Sequence, residues 1–113
     1  MENKKDLGKT STGMQANVAA LLSYLLWFIT GIVFFLTEKE NKFVRFHAMQ
    51  SIIIFGFLFV IGLILPFIPI LGWIFLPILW IAEIVIWIVL MIKAYQGEYF
   101  KLPIAGEMAE KNS

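Results

Sequence analysis

Glu83 is the one ionisable side chain between Ser51 and Ile92, a stretch long and apolar enough to cross a bilayer twice. A charged carboxylate at the centre of a bilayer is costly, which favours a neutral carboxylic acid that donates a hydrogen bond. Such a group could relay protons or line a pore. It could also lock helices together by bonding Ser23, Thr30 or a tryptophan N–H. The lock is favoured, because the apolar segments contain no second acid to complete a relay.

Three tryptophans lie on either side of Glu83 at intervals of seven residues, so Trp73, Trp80 and Trp87 share nearly one helix face. Trp73 is best placed as an interfacial anchor, since tryptophan is enriched at membrane–water boundaries. Trp80 and Trp87 lie deeper, where an indole N–H prefers a partner. An aromatic groove for a ligand is one interpretation. Ordinary packing between helices is the favoured one.

His47, Gln50 and Ser51 form a polar patch, because residues three and four apart lie on one side of a helix. A metal site is disfavoured, since zinc takes three or four ligands and the sequence has one histidine and no cysteine. We therefore expect His47 to hydrogen-bond lipid headgroups or a neighbouring helix.

Lys39, Lys42 and Arg45 occupy a short polar segment between two apolar ones. These cations could hold anionic lipid, or they could act only as signals for membrane topology. No nucleophile–base pair, phosphate-binding loop or carboxylate pair is recognisable in the sequence. We therefore expect no enzymatic activity, no cofactor and no metal.

The composition indicates a membrane protein. Hydrophobic residues make up 60% of the chain and charged residues 15%, with a mean hydropathy of +0.84. A soluble domain carries about 25% charged residues, so this chain lacks the polar surface that water requires. The net charge of +1 offers no basic face for nucleic acid.

The elements that must position these side chains form an all-α integral membrane bundle of three transmembrane helices. A polar loop at 37–47 should include an amphipathic, interfacial lead-in to the second helix, with Phe43 and Phe46 on its apolar face. Small residues four apart in the first helix suit close packing against the other two helices, which is favoured over a dimerisation face. The predicted segments are a disordered tail at 1–13, a membrane domain at 14–96 with spans at about 18–36, 48–65 and 73–92, and a polar C-terminal tail at 97–113.

The numbers of lysines and arginines predict the orientation of the chain. With three spans, the N-terminal tail shares a side with the proline-containing turn at 66–72, and this side carries three cations. The loop at 37–47 shares the other side with the C-terminal tail, and this side carries six. The loop and the C-terminus are therefore predicted to be cytoplasmic in a multi-pass protein of the cell membrane. The N-terminus is then predicted to lie outside.

Two blocks carry a resemblance to a known family. The first runs from Glu38 to Ser51 and contains Phe-Val-x-x-His-x-x-Gln, and the second runs from Ile92 to Pro103. Over roughly residues 15–105 the chain resembles a widespread family of small prokaryotic membrane proteins of unassigned function. That family is similar to the chloroplast inner-envelope import component often abbreviated Tic-twenty. The resemblance implies a multi-span protein and supplies no catalytic residues.

The expected function is that of a non-enzymatic accessory or assembly subunit of a membrane complex, with a link to protein translocation as one possibility. A bundle this thin leaves little room for a private cavity, so protein partners or self-association in the lipid bilayer are expected. The alternatives are a homo-oligomeric channel or carrier that uses Glu83, and a small immunity or stress protein of the envelope.

Overall fold

A computed structural model describes residues 7–113, and the residues of the predicted tail at 1–6 lie outside the described part. The described chain is all-α, as predicted. Two of its helices are long and apolar enough to cross a membrane, and two shorter helices are also apolar. The elements are α1 (Ala16–Leu25), α2 (Phe28–Thr37), α3 (Lys42–Ile64), a 3₁₀ turn (Leu65–Phe67), α4 (Leu71–Tyr95) and α5 (Ala105–Asn112).

The first predicted span is not one helix. It breaks at Trp27, which has a φ of 57° and so cannot continue a right-handed helix. Beyond the break the chain reverses: the Asn17 side chain donates to the Tyr95 carbonyl, while Gly31 lies against Ala48 and Ser51. Helix α1 therefore runs beside the end of α4, and α2 returns beside the start of α3. We call this pair of short helices, 16–37, the hairpin.

The hairpin brings the N-terminal segment back to the loop that follows α2. The backbone N–H of Ser11 donates to the Glu38 carboxylate at 2.8 Å, and the Asn41 side chain donates to the carbonyls of Leu7 and Lys9. These contacts do not fit the predicted three-span arrangement, in which the N-terminal tail and the loop at 37–47 lie at opposite ends of the bundle. Residues 7–13 lie against that loop instead of extending from the other end.

The hairpin covers only part of the long helices. Each of its two helices has 10 residues, or about 15 Å. Helix α3 has 23 residues and α4 has 25, which correspond to about 35 and 38 Å and exceed a hydrocarbon core of ~30 Å. The chain thus has two helices of spanning length and one hairpin of less than half their length.

The amphipathic start of α3 faces protein rather than headgroups. Asn41 caps the helix by accepting from the Val44 N–H. The predicted face is buried, because α1, α2 and the C-terminal segment pack around it. The residues of this face are Phe43, Phe46, His47, Gln50 and Ser51.

The sequence Pro-Ile-x-Gly occurs twice and makes the same turn each time. At Ile70 and at Ile104 the φ is 67°, and the N–H of the next residue donates back to the carbonyl of the proline. These are γ-turns of the rare, strained form. Glycine follows because a Cβ on Gly72 or Gly106 would collide with the preceding segment. The first copy ends the reversal between α3 and α4, and the second begins α5.

The C-terminal residues are not a free tail. Residues 98–104, which we call the strap, lie outside the helices and run along α3, and α5 then also packs on α3. The Arg45 guanidinium donates to the carbonyl of Ser113, so the chain end returns to the start of α3. The hairpin therefore covers one part of α3, and the strap and α5 cover another part.

Candidate functional site

A buried polar cluster of Tyr24, His47 and Gln50 joins the hairpin to α3. The Tyr24 hydroxyl lies 2.6 Å from His47 Nδ1, and Gln50 Nε2 donates to the same hydroxyl at 3.0 Å. His47 Nε2 lies 2.8 Å from the Glu98 carbonyl, which can only accept. In the neutral imidazole the proton therefore sits on Nε2, and Tyr24 donates to Nδ1. His47 bonds a neighbouring helix, which is one of the two predicted alternatives.

The polar cluster also holds the strap. Gln50 Nε2 donates to the Phe100 carbonyl at 2.9 Å, and Gln50 Oε1 accepts from the Leu102 N–H at 2.9 Å. With the His47 bond to Glu98, two side chains of α3 pair with three backbone groups of the strap. A segment outside helices and strands cannot pair its own backbone N–H and C=O groups. Where water cannot reach these groups, side chains such as His47 and Gln50 must supply their hydrogen bonds.

The break in the hairpin is closed by side chains of both long helices. The indole N–H of Trp87 donates to the Tyr24 carbonyl at 2.7 Å, and the Ser51 hydroxyl donates to the Trp27 carbonyl at 2.6 Å. The Leu26 N–H donates to the Thr30 hydroxyl. Non-helical backbone at membrane depth is tolerated only where protein supplies its hydrogen bonds. These three bonds meet that condition.

Arg45 fastens the end of α2 to α3. Its Nη1 donates to the carbonyls of Phe35 and Glu38, at 3.1 and 2.6 Å, and its guanidinium lies over the Phe35 ring. Carbonyls at a helix C-terminus lack intrahelical donors and attract a cation. Arg45 thus has a structural role in addition to the two predicted alternatives, lipid contact and topology signal, which stay predictions.

The Glu38 carboxylate is a common acceptor for hydrogen-bond donors of the N-terminal segment and of the loop that follows α2. It accepts from the N–H groups of Ser11, Glu40 and Asn41 and from the Ser11 hydroxyl. Burial acts to raise the pKa of this carboxyl, but the hydrogen bonds together outweigh burial and hold the pKa below its usual range. The group therefore binds the N-terminal segment as a carboxylate.

Glu83 and Trp80 lie apart from this network. The predicted lock partners of Glu83 are engaged elsewhere: Ser23 donates to a carbonyl of its own helix, Thr30 accepts from Leu26, and Trp87 bonds Tyr24. Within residues 7–113 neither the Glu83 carboxyl nor the Trp80 indole has a hydrogen-bond partner. The three tryptophans thus separate by role, since Trp73 donates to the Pro66 carbonyl in the reversal.

Three residues at the centre of these contacts were not singled out from the sequence: Tyr24, Trp27 and Glu38. Tyr24 carried a usable signal, because a hydroxyl in the middle of an apolar segment requires a partner. Trp27 and Glu38 carried no such signal, because their roles depend on a chain reversal that no neighbouring helix-breaking residue indicates.

The arrangement holds segments together and offers little for chemistry. Every fully buried side-chain nitrogen or oxygen of the described residues has a hydrogen-bond partner. Within the same residues, no group of three or more acidic or histidine side chains could hold a metal ion. The polar cluster is therefore best described as a structural site that fixes the hairpin and the strap on α3.

Comparison with known proteins places the chain in a family. Residues 9–109 match the family described as the magnetosome magnetite crystal formation protein family, MamF/MmsF. A UPF0132 membrane protein of Methanocaldococcus jannaschii is 52% identical over 107 residues, covering 95% of this chain and 96% of that protein. A UPF0132 membrane protein of Archaeoglobus fulgidus is 50% identical over 98 residues, covering 87% and 95%. No solved structure matches the chain.

These matches support the predicted resemblance to a prokaryotic membrane protein family. They do not show the likeness to the chloroplast import component, which stays a prediction. Because the family match covers most of the chain and the relatives are matched over nearly their whole lengths, the protein belongs to the MamF/MmsF family of UPF0132 membrane proteins.

Proposed function

We propose that this protein is a non-enzymatic membrane subunit that self-associates through the half of α3 and α4 that the hairpin leaves uncovered. The observation that carries the proposal is the pair of unpartnered polar groups in that half, Glu83 and Trp80.

The uncovered half consists of two helices and little else. In the most apolar 18 residues of 71–95, only 11% are buried within the chain. In the most apolar 18 residues of 42–67, 22% are buried. Two helices cannot cover one another on all sides, so most of this apolar surface faces lipid or another protein. Packing between membrane helices is driven by shape and by interhelical hydrogen bonds, not by burial of apolar surface. Polar groups in this half are therefore the informative ones.

Glu83 is such a group. The residue is only 9% exposed, but its carboxyl oxygens are accessible at the molecular surface. Neither oxygen has a hydrogen-bond partner within residues 7–113. Trp80 lies three residues away on nearly the same face of α4, is 56% exposed, and has an indole N–H without a partner there. A polar group left unpaired in hydrocarbon costs several kcal/mol.

A second copy of the chain supplies the missing partners. In a two-fold dimer a residue i that contacts j is repeated as j contacting i, so Trp80 of each copy can donate to Glu83 of the other. A neutral carboxylic acid both donates and accepts, so two Glu83 groups can also satisfy each other. Either pairing removes the unpaired groups without adding a new component.

The test is energy transfer between labelled copies in liposomes at decreasing protein-to-lipid ratio. Glu83→Leu should weaken self-association about 3- to 20-fold, the range that interhelical hydrogen bonds in membranes imply. Glu83→Gln keeps a donor and an acceptor and should retain most of the association. Ile84→Leu, a neighbouring exposed position, is the matched control. Unchanged association of Glu83→Leu would overturn the proposal.

The second candidate is a homo-oligomeric channel in which Glu83 lines a path, and the same unpaired carboxyl favours it. Proton and ion flux into proteoliposomes separates the two functions. An assembly subunit gives no flux above empty liposomes. A channel gives flux that Glu83→Gln reduces.

The orientation of the subunit follows from where its cations lie. The seven described lysines and arginines all belong to the half that holds residues 7–13 and the C-terminal residues, and the reversal at 65–71 carries none. By the positive-inside rule we place the hairpin ends, the loop at 38–41 and the C-terminus on the cytoplasmic side. The resemblance to a plastid import component names protein translocation as one process in which such a subunit would work.

A further inference from the structure

A cavity of about 370 Å³ opens at the polar end of the molecule, between the first turns of α3, the strap and α5. Two of its lining residues take part in contacts described above, since the Ser113 carbonyl accepts from Arg45 and Phe46 lies on the buried face of α3. Its lining residues are Lys42, Phe46, Tyr99, Glu110 and Ser113.

Two donors in this cavity are free. The Lys42 ammonium and the Tyr99 hydroxyl have no hydrogen-bond or ion-pair partner within residues 7–113. The acidic lining residue is already engaged, because Glu110 pairs with the Lys101 ammonium at 2.8 Å. The cavity therefore presents one unpaired cation and one unpaired hydroxyl, a combination suited to a phosphate oxygen.

Aromatic contacts hold the hydroxyl in place. The Tyr99 ring packs edge-on against Phe43 and at a tilt against Phe46, with centroid distances of 4.9 and 5.3 Å. Burial raises the pKa of Tyr99, so the hydroxyl remains a neutral donor. These contacts restrict the half-exposed Tyr99 ring, which lowers the cost of ordering it when a ligand binds.

The cavity lies where the apolar surface of the molecule ends. Arg45, on the same turn of α3, bonds the Phe35 carbonyl, and the adjacent Leu36 is 60% exposed. An exposed leucine at this level marks hydrocarbon, and the lysines beyond it mark headgroups. The cavity mouth is therefore at the depth of lipid phosphates.

A second, apolar groove of about 330 Å³ lies farther along α3, where α3, the strap and α5 meet. Lys42 and Phe46 from the cavity and Ile53 and Phe57 from the groove lie 4, 7 and 4 residues apart, which places all four on one stripe of α3. The stripe thus passes from a cationic, aromatic cavity to an apolar groove over about 22 Å. This is the order of groups in a phospholipid, with the phosphate first and the acyl chain beneath it.

We propose that this stripe binds one membrane phospholipid, with its phosphate group between Lys42 and Tyr99 and an acyl chain in the groove beside Phe57. The site is distinct from the proposed self-association surface around Glu83. Either proposal can fail without affecting the other.

Native mass spectrometry of the detergent-solubilised protein tests the site. The probes are phosphatidylglycerol, diacylglycerol with the same acyl chains, and inorganic phosphate. We expect phosphatidylglycerol to bind with one high-affinity copy per chain, and Lys42→Gln to weaken it about fivefold, the factor associated with one lysine near an anionic surface. Tyr99→Phe should weaken it less. Lys39→Gln, an exposed lysine outside the cavity, is the matched control and should leave it nearly unchanged.

Glu110→Gln adds a change of opposite sign, because it removes a negative charge from the lining and should tighten binding of phosphatidylglycerol. Three results would overturn the proposal. Equal losses in Lys42→Gln and Lys39→Gln would indicate general charge attraction, equal affinity for diacylglycerol would remove the phosphate from recognition, and full competition by inorganic phosphate would identify a free anion as the ligand. Size-exclusion profiles that match the wild type show that each variant is folded.

Discussion

The indole N–H of Trp87 donates to the backbone carbonyl of Tyr24 at 2.7 Å, across an interface between a helix that spans the molecule and one that stops partway. Tyr24 lies at the end of α1, where the helix gives way to the turn at Trp27. This bond and the Ser51 bond to the Trp27 carbonyl allow a turn to exist at that depth. The pairing of α1 and α2 as a hairpin depends on this turn.

Replacing Trp87 with phenylalanine keeps an aromatic ring and removes only the N–H donor. We expect Trp87→Phe to lower the free energy of unfolding by about 1 kcal/mol, in the range of interhelical hydrogen bonds in membranes. Trp80→Phe is the control, because the Trp80 indole has no partner in the described chain. The measurement is unfolding in mixed micelles at a dilution where the protein is monomeric. Equal stabilities of the two variants would contradict the role given to Trp87.

Gly31 allows α2 to approach α3. A Cβ at this position would lie 2.9 Å from the Ala48 carbonyl oxygen and 3.0 Å from Ser51, and a backbone atom cannot move aside cheaply. We expect Gly31→Ala to destabilise the protein by about 1–3 kcal/mol. A Cβ added at Gly56 has no atom within 4 Å, so Gly56→Ala should be neutral or stabilising by up to ~1 kcal/mol. Thermal unfolding in detergent compares them, and a stable Gly31→Ala variant would argue against close packing of the hairpin.

Gln50 should control the attachment of the strap. Gln50→Leu removes the partners of Phe100 and Leu102 and should raise the rate of tryptic cleavage after Lys101 about tenfold, as expected for the loss of ~1.4 kcal/mol of hydrogen bonding. Gln15→Leu changes an exposed glutamine without a capping bond and should leave the rate as it is. Cleavage that proceeds equally in both variants would mean that the strap is held by other contacts.

Glu38 gives the N-terminal segment a defined pH dependence. Because the pKa of this carboxyl is lowered by folding, its stabilising contribution is complete above the ordinary value of 4.5 and is lost as the pH falls below 4.5 through the folded value. Melting temperatures in detergent between pH 7 and pH 3 should therefore fall more steeply for the wild type than for Glu38→Gln. Glu40→Gln, on the exposed neighbour, should follow the wild type. Parallel curves for wild type and Glu38→Gln would refute this role.

The sequence could predict the class, the two long helices and the residues that share one face at the start of α3, although it placed that face at the headgroups. That face was visible because Phe43, Phe46, His47 and Gln50 repeat with the period of a helix and are flanked by charge. A single span at 18–36 was the natural expectation, since the segment has uniform hydropathy and the right length. Its break at Trp27 depends on side chains from α3 and α4 that are far away in sequence.

The distribution of charge did contain the information that was missed. A three-span arrangement divides the lysines and arginines between both sides, whereas a hairpin in place of the first span puts all the described ones on the same side. The second arrangement obeys the positive-inside rule much better. Glu83 illustrates a different case, since its expected partners within the chain are engaged elsewhere.

The most direct test of the account is the side of the membrane on which the N-terminal segment lies. The chain has no cysteine, so single cysteines can be introduced by Lys9→Cys, Lys39→Cys, Lys111→Cys and Phe67→Cys, all at exposed positions. In sealed vesicles treated with a membrane-impermeant thiol reagent, we predict that Lys9→Cys reacts from the same side as Lys39→Cys and Lys111→Cys, and Phe67→Cys from the other. If Lys9→Cys instead reacts together with Phe67→Cys, the first apolar segment crosses the membrane and the hairpin does not exist.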